Sequence, residues 1–256
     1  MTDATRIVEN YYANVIANRF DDVIGMFSGE PSIDTPLQGS MRGREPFAAY
    51  LQKERAWLIE RQPGAEVLST VTTDSLIVAE YVIFLSRDGA QIELPVAAVA
   101  VREGARVSTV RVYHTTWTIS GMHTIRDPLI RPATVQLPAI VDRYMDALAK
   151  GDQEALLLLF TEDAYVREPS GSKYRHEGPE GRRRFYRAAL AAGGISLQHC
   201  TAAFDGRLCA VEYVCDRWGG TDLDPQPGVA IYEIDPSGLI SAVRIYDDVR
   251  QPGSLS

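Results

Sequence analysis

Lysine is nearly missing from this chain: of 26 basic residues only Lys53, Lys150 and Lys173 are lysine, a bias that points to a GC-rich bacterial genome and says nothing of chemistry. A basic surface is missing too. The net charge is −8 and the pI is near 5.1, which argues against partners that need a basic face, so neither nucleic acid nor an anionic membrane is expected. The local run Arg182-Arg183-Arg184 is the exception, and its plain reading is a solvated helix face with Phe185 and Tyr186 turned inward. No stretch of about 18 apolar residues exists, and the N-terminus is polar and acidic where a signal peptide would be basic and then apolar. A cytoplasmic location is the expectation. Cys200, Cys209 and Cys215 all fall in the second half, and an odd count there suggests packing thiols and no disulfide framework. His114, His123, His176 and His199 form no pair at metal-ligand spacing, and no Gly-rich phosphate loop or Gly-x-Ser-x-Gly elbow is present. The expectation is therefore no metal and no cofactor.

What the chain does contain is itself, twice. With a constant shift of 133, Ile7 falls on Ile140, Val8 on Val141, Tyr11 on Tyr144, Phe27 on Phe160 and Pro36 on Pro169. The same shift carries Ser108, Val110, Arg111 and Tyr113 onto Ser241, Val243, Arg244 and Tyr246. A register held over about 100 residues marks two copies of one domain, each large enough for its own core.

In copy one, Ile7, Val8, Tyr11, Tyr12, Val15 and Ile16 have helical spacing over 5–18, with Asp3 or Thr5 as N-cap. Helices over 21–27 and 45–59 flank a bend at Pro31 and an extended piece ending at Pro36. After Gln62-Pro63-Gly64 come strands at 66–73, 76–86, 91–101 and 106–118, with Arg87-Asp88-Gly89 as a hairpin turn. Copy two repeats the order: helices at 137–149, 153–160 and 179–191, then strands at 196–204, 207–217, 228–234 and 239–248. Asp205-Gly206 and Asp235-Pro236-Ser237-Gly238 supply its turns. Residues 1–126 are copy one, the proline-rich segment 127–138 is the linker, and 139–256 are copy two.

This is an α+β layout, in which each copy packs three helices on a curved antiparallel sheet. The strand from Leu76 to Leu85 is apolar on both parities, so both its faces require cover. The expected answer is an intramolecular pseudo-dimer, and hence a monomeric protein.

The order of elements, together with Tyr144, Gly151-Asp152, Asp163-Ala164, Val166-x-Glu168-Pro169 and Gly178, resembles the SnoaL-like branch of the nuclear transport factor two-like superfamily, and within it ketosteroid isomerase. The resemblance covers both halves and implies two tandem cone-shaped domains. Its implication for function is broader, since the fold carries isomerases, polyketide cyclases, dehydratases, epoxide hydrolases and binding proteins. The isomerase pairs a carboxylate base with a tyrosine and a protonated aspartic acid. By that resemblance Tyr144 takes the place of the oxyanion tyrosine and Glu168 that of the base. The protonated acid does not carry over: Ala230 stands there, and Ala97 in copy one.

The residues themselves add to this. Glu168 shares strand parity with Val166, so a core-facing Val166 turns the carboxylate into the cavity, where burial raises its proton affinity; a solvent-facing turn acid is the other reading. Tyr144 is either a donor to substrate or core. Asp247 follows Val243 and Ile245 on one strand face, and Asp247 or Asp248 resembles the acid that SnoaL-type polyketide cyclases use near the end of the last strand. Glu80 and Glu212 sit within apolar strands, where a bare carboxylate is costly, so they are either paired or at work in the cavities. In copy one the constant shift puts Thr35 at the Glu168 position, whereas counting back from Gly43-Arg44-Glu45 selects Asp34. Tyr11, Trp57, Tyr81 and His114 in copy one, and Tyr213 and Trp218 in copy two, are candidates for substrate contact.

The functional expectation is a cofactor-free isomerase or cyclase that moves protons on a hydrophobic natural-product intermediate, polyketide- or steroid-like. The alternatives are an epoxide-opening cyclase or hydrolase of the polyether type, which uses an aspartate and a glutamate, and a non-catalytic small-molecule binder.

Overall fold

Pro138 and Gly151 bracket the helix that carries Tyr144. Proline starts the helix without the amide hydrogen that it would waste, and Gly151, at φ 70°, ends it in the left-handed conformation. Between them Ile140, Val141, Tyr144, Met145, Ala147 and Leu148 form one buried stripe. Asp152 then caps the next helix, its carboxylate accepting from the Ala155 amide at 3.0 Å.

The computed structural model describes residues 3–87 and 89–252. The chain divides into two compact units, Met1–His114 and Thr115–Ser256. In the first, α1 (Ala4–Glu9), α2 (Tyr11–Ile16) and α3 (Phe20–Gly25) precede β1 (Ser32–Thr35), β2 (Gly39–Arg42) and α4 (Arg44–Glu60). The strands β3 (Gly64–Thr72), β4 (Leu76–Arg87), β5 (Ala90–Glu103) and β6 (Arg106–Tyr113) follow. The second unit begins with α5 (Trp117–Ser120) and repeats the plan as α6 (Ala139–Lys150), α7 (Gln153–Leu157), β7 (Phe160–Arg167), a 3-10 turn (Ser172–Tyr174), β8 (Arg175–Glu177) and α8 (Gly178–Ala189). It closes with β9 (Ile195–Phe204), β10 (Leu208–Trp218), β11 (Thr221–Ile234) and β12 (Ile240–Tyr246).

Each unit holds one six-stranded sheet, ordered β2-β1-β6-β5-β4-β3 and β8-β7-β12-β11-β10-β9. The repeat is visible in the pairing. Ile33 lies opposite Val110 and Asp34 opposite Arg111; Val166 lies opposite Val243 and Arg167 opposite Arg244, each residue 133 positions on from its counterpart. These two pairings are parallel, and the remaining ladders are antiparallel. The result is an α+β fold made of two tandem domains. No described helix is long and apolar enough to cross a membrane.

Several boundaries differ from the sequence reading. The helix expected over 5–18 breaks at Asn10, whose side chain donates to the Arg6 carbonyl at 2.8 Å and competes with the helical ladder. The strand expected to reach 118 stops at Tyr113, because Thr115 and Thr116 turn the chain into α5. The last long strand of the sheet starts at Thr221 and not at 228; Pro225 and Pro227 mask it in sequence. The turn residue Asp88 lies outside the described residues. Asp205 does make its turn, accepting from the amides of Arg207 and Leu208 at 2.9 and 2.8 Å.

Candidate active site

Four tyrosines, Tyr144, Tyr186, Tyr213 and Tyr232, line one cavity in the second unit. Tyr144 from α6 and Tyr186 from α8 put their hydroxyls 3.0 Å apart, and the Tyr144 ring meets that of Tyr232 edge-on at 5.1 Å. Burial pushes the Tyr144 phenol up to about 12 and raises that of Tyr186 as well, so both stay protonated near neutral pH. If Tyr186 donates to Tyr144, the Tyr144 proton is free for a guest in the cavity.

Glu168 stands one residue beyond β7. Val166, two residues before it, is wholly buried, and that parity carries the Glu168 side chain to the inner face, where it keeps 36% exposure. The Glu168 amide donates to the Tyr174 carbonyl at 3.0 Å, which fixes the backbone. Its Oε1 lies 2.6 Å from Nε2 of His176, which β8 brings alongside by pairing opposite Val166. The His176 ring in turn stacks on Phe185 at 4.8 Å.

Asp247 follows β12. The Tyr213 hydroxyl donates to its Oδ2 at 2.6 Å and the Val249 amide reaches its Oδ1 at 3.3 Å. Burial pushes this carboxyl up to about 6, against the pull of the Tyr213 bond. Tyr213 owes its pose to Gly228, its partner across the β10–β11 ladder: a Cβ at position 228 would come within 2.6 Å of the tyrosine Cζ. The next residue is different in kind. Burial would raise the Asp248 carboxyl too, but hydroxyls of Thr115 and Thr116 and the Thr124 amide all donate to it and hold it below the usual range. Of the two neighbouring acids, Asp248 is a structural anchor and Asp247 faces the cavity.

The cavity encloses about 120 Å³. Tyr144, Glu168, Tyr213, Trp218 and Asp247 all line it, so the structure brings together five of the residues singled out in copy two. Ala230 lines it as well. Trp218 is locked by a 2.6 Å bond from its indole nitrogen to the Ala189 carbonyl, beyond an irregularity in β10 between Cys215 and Arg217. Two carboxyls and a tyrosine pair thus line one largely apolar cavity.

Copy one is arranged otherwise. Asp34 lies on the outer parity of β1 and accepts from the Ser40 hydroxyl, while Thr35 is buried. Constant register also sets His114, a buried imidazole, at the Asp247 position. Tyr81 pairs with Val96 where Tyr213 has glycine, and its hydroxyl goes to the Val8 carbonyl. Trp57 lies under the Arg61 guanidinium, 4.4 Å from its ring centre. Tyr11 donates at 2.9 Å to Glu54, an acid that sequence reasoning passed over. Burial raises Glu54 to about 7, although Tyr50 and Tyr11 hydroxyls pull it down. Its signal was its place in the α4 stripe of Phe47, Tyr50, Leu51 and Leu58. Glu80 and Glu212 are buried and accept from Ser69 and Thr201 in matching fashion, and Glu212, alternating with Tyr213, does not line the cavity.

Residues 141–243 match the family model of the SnoaL-like domain. Among solved structures, a candidate polyketide cyclase of Sinorhizobium meliloti is 28% identical, with 43% of this chain and 94% of that one covered at a TM-score of 0.36. SalBIII, an epoxide hydrolase/cyclase-like enzyme with a role in pyran ring formation in the polyether salinomycin, is 22% identical over 44% of this chain and 90% of its own, TM-score 0.38. An NTF2-like protein from Cytophaga hutchinsonii is 16% identical over 45% and 93%, TM-score 0.36. No curated protein sequence matches. The second half thus carries a region similar to the SnoaL-like domain, and the first half repeats its sheet order.

Proposed function

We propose that the second domain is a cofactor-free isomerase or cyclase for a hydrophobic carbonyl compound, with Glu168 as proton acceptor and Asp247 as proton donor. The observation that carries this reading is that both carboxyls line one cavity, while Thr35 and His114 stand at their positions in copy one. Glu168 removes a proton from the carbon beside the carbonyl as Asp247 hands its own to the carbonyl oxygen, giving a neutral enol. From a β,γ-enone the enol is a dienol, which takes the proton from Glu168 at the γ carbon as its hydroxyl returns a proton to Asp247, and this is isomerisation; otherwise its α carbon attacks a second carbonyl carbon of the same molecule, the new alkoxide takes the Glu168 proton and the enol hydroxyl returns its own to Asp247, and this is cyclisation. The Tyr144–Tyr186 pair supplies a neutral donor for a further substrate oxygen. A carboxyl held near pH 6 suits this work, because general acid–base groups are most effective when their pKa lies near the working pH.

The test is wash-in of deuterium from heavy water beside the carbonyl of bicyclic and tricyclic enones, followed by mass spectrometry. The reading expects exchange by the wild type and a loss of roughly 100-fold or more in Glu168→Gln and in Asp247→Asn. Exchange that survives both substitutions excludes it. The presence of two carboxyls also favours a second reading, epoxide opening, with Asp247 protonating the epoxide oxygen and Glu168 taking the proton of an attacking internal hydroxyl. Conversion of a hydroxy-epoxide to a cyclic ether, without enone exchange, would select that reaction.

A further inference from the structure

The cavity around Glu168 and Asp247 does not end at them. An outer chamber of about 420 Å³ shares Glu168, Pro169, Phe185, Trp218 and Asp247 with it. Its far wall is aromatic and comes from the segment preceding the second repeat. Trp117 of α5 stacks with His123 at 6.4 Å and 18° and meets Tyr174 edge-on at 6.0 Å. The indole is nonetheless 38% exposed. Its backbone is firmly held: the Trp117 amide donates to Thr115 Oγ1 at 3.2 Å, and the Gly121 amide donates to the Trp117 carbonyl at 2.7 Å. The whole turn is fastened to Asp248 through Thr115 at 2.6 Å, Thr116, the Thr124 amide at 2.8 Å and His123 Nδ1 at 2.9 Å. A large indole on a fixed backbone, exposed towards a chamber that opens onto two acids, is a platform for a ligand.

Size says what that ligand must be. An apolar void of about 150 Å³ takes a benzene, so the inner cavity has room for about one six-membered ring. Anything larger passes the two carboxyls and continues into the outer chamber. We propose that Trp117, with Tyr174 and His123, forms an outer aromatic subsite for the far ring of an elongated, unsaturated substrate whose reacting bond is internal to the molecule. The location of the reacting bond rests on the catalytic reading above; the subsite itself does not.

Two phenols separate the cases. Phenol has one ring, the size the inner cavity takes, and 4-phenylphenol adds a second ring for the proposed subsite to hold. Titration calorimetry of the full chain should find 4-phenylphenol bound roughly tenfold or more tightly than phenol, as a stacked aromatic contact contributes on that scale. Trp117→Ala should cancel that ratio while leaving phenol affinity within about twofold, and Trp117→Phe should restore most of it. A wild type that binds neither probe, or binds both alike, overturns the subsite. So does a Trp117→Ala protein that keeps the ratio or weakens both probes equally. Enone exchange that survives Glu168→Gln would sink the catalytic reading and leave the phenol ratio standing.

Discussion

The Tyr213 hydroxyl reaches Asp247 at 2.6 Å because the residue facing Tyr213 across the sheet, Gly228, has no side chain. Gly228→Ala drives a methyl group into the ring. The expected outcome is a loss of about 1–3 kcal/mol in denaturant unfolding, as for overpacked cores. The Asp247 carboxyl should also rise further, since the Tyr213 bond is what pulls it down. Tyr213→Phe should give the second effect without the steric one, read as a shift of the alkaline limb of the pH–rate profile to higher pH, because the proton donor must be protonated to act.

The contributions of Asp247 and Glu54 to stability should fall as pH rises from 4 to 7. Asp247 and Glu54 have folded pKa values of about 6 and about 7, above their unfolded ones, so the native state holds their protons more tightly. The stabilisation is complete below the unfolded values and disappears as pH climbs through the folded ones. The upper bounds are about 3 kcal/mol for Asp247 and about 3.5 kcal/mol for Glu54, and less where water reaches the group. Asp247→Asn and Glu54→Gln should each flatten the profile between pH 4 and 7, measured by urea unfolding at half-unit steps.

Asp248 should matter for structure and not for proton transfer. Asp248→Ala removes the acceptor shared by Thr115, Thr116, Thr124 and His123. Bonds to a charged partner contribute about 1.5–3 kcal/mol, so a loss of about 2 kcal/mol is expected. Hydrogen exchange should speed up at the Thr124 amide, and 4-phenylphenol should lose its advantage over phenol.

Copy one should be silent in the reaction. Asp34 is bonded to Ser40 on the outer parity of its strand, and Asp34→Asn is expected to leave enone exchange within about twofold. Glu168→Gln should lower it roughly 100-fold. The opposite pattern would reverse the roles of the copies.

The repeat, the helix–sheet order and the inward turn of Glu168 were legible because they are periodic: a shift of 133 recurs in both parallel pairings, and parity follows from Val166. Short edge strands were not. β2 and β8 have four and three residues, too few for any pattern to register. The same limit hid His176, which reaches Glu168 only through the β7–β8 hairpin. Asp247 and Asp248 looked alike in sequence, since what separates them is the group opposite each: Tyr213 for one, and Thr115, Thr116 and Thr124 for the other. Trp117 fell in a stretch expected to be strand, where its place beside the cavity mouth could not be foreseen.

Proton donation in the second domain requires Asp247 to be an acid of raised proton affinity inside the cavity. Carbon-13 NMR of its carboxyl, assigned by comparison with Asp247→Asn, measures this without knowledge of the substrate. The prediction is a titration midpoint of about 6. A midpoint at about 4, the ordinary value for aspartate, would mean a solvated strand-end carboxylate and would contradict the pairing of Asp247 with Glu168 as donor and acceptor.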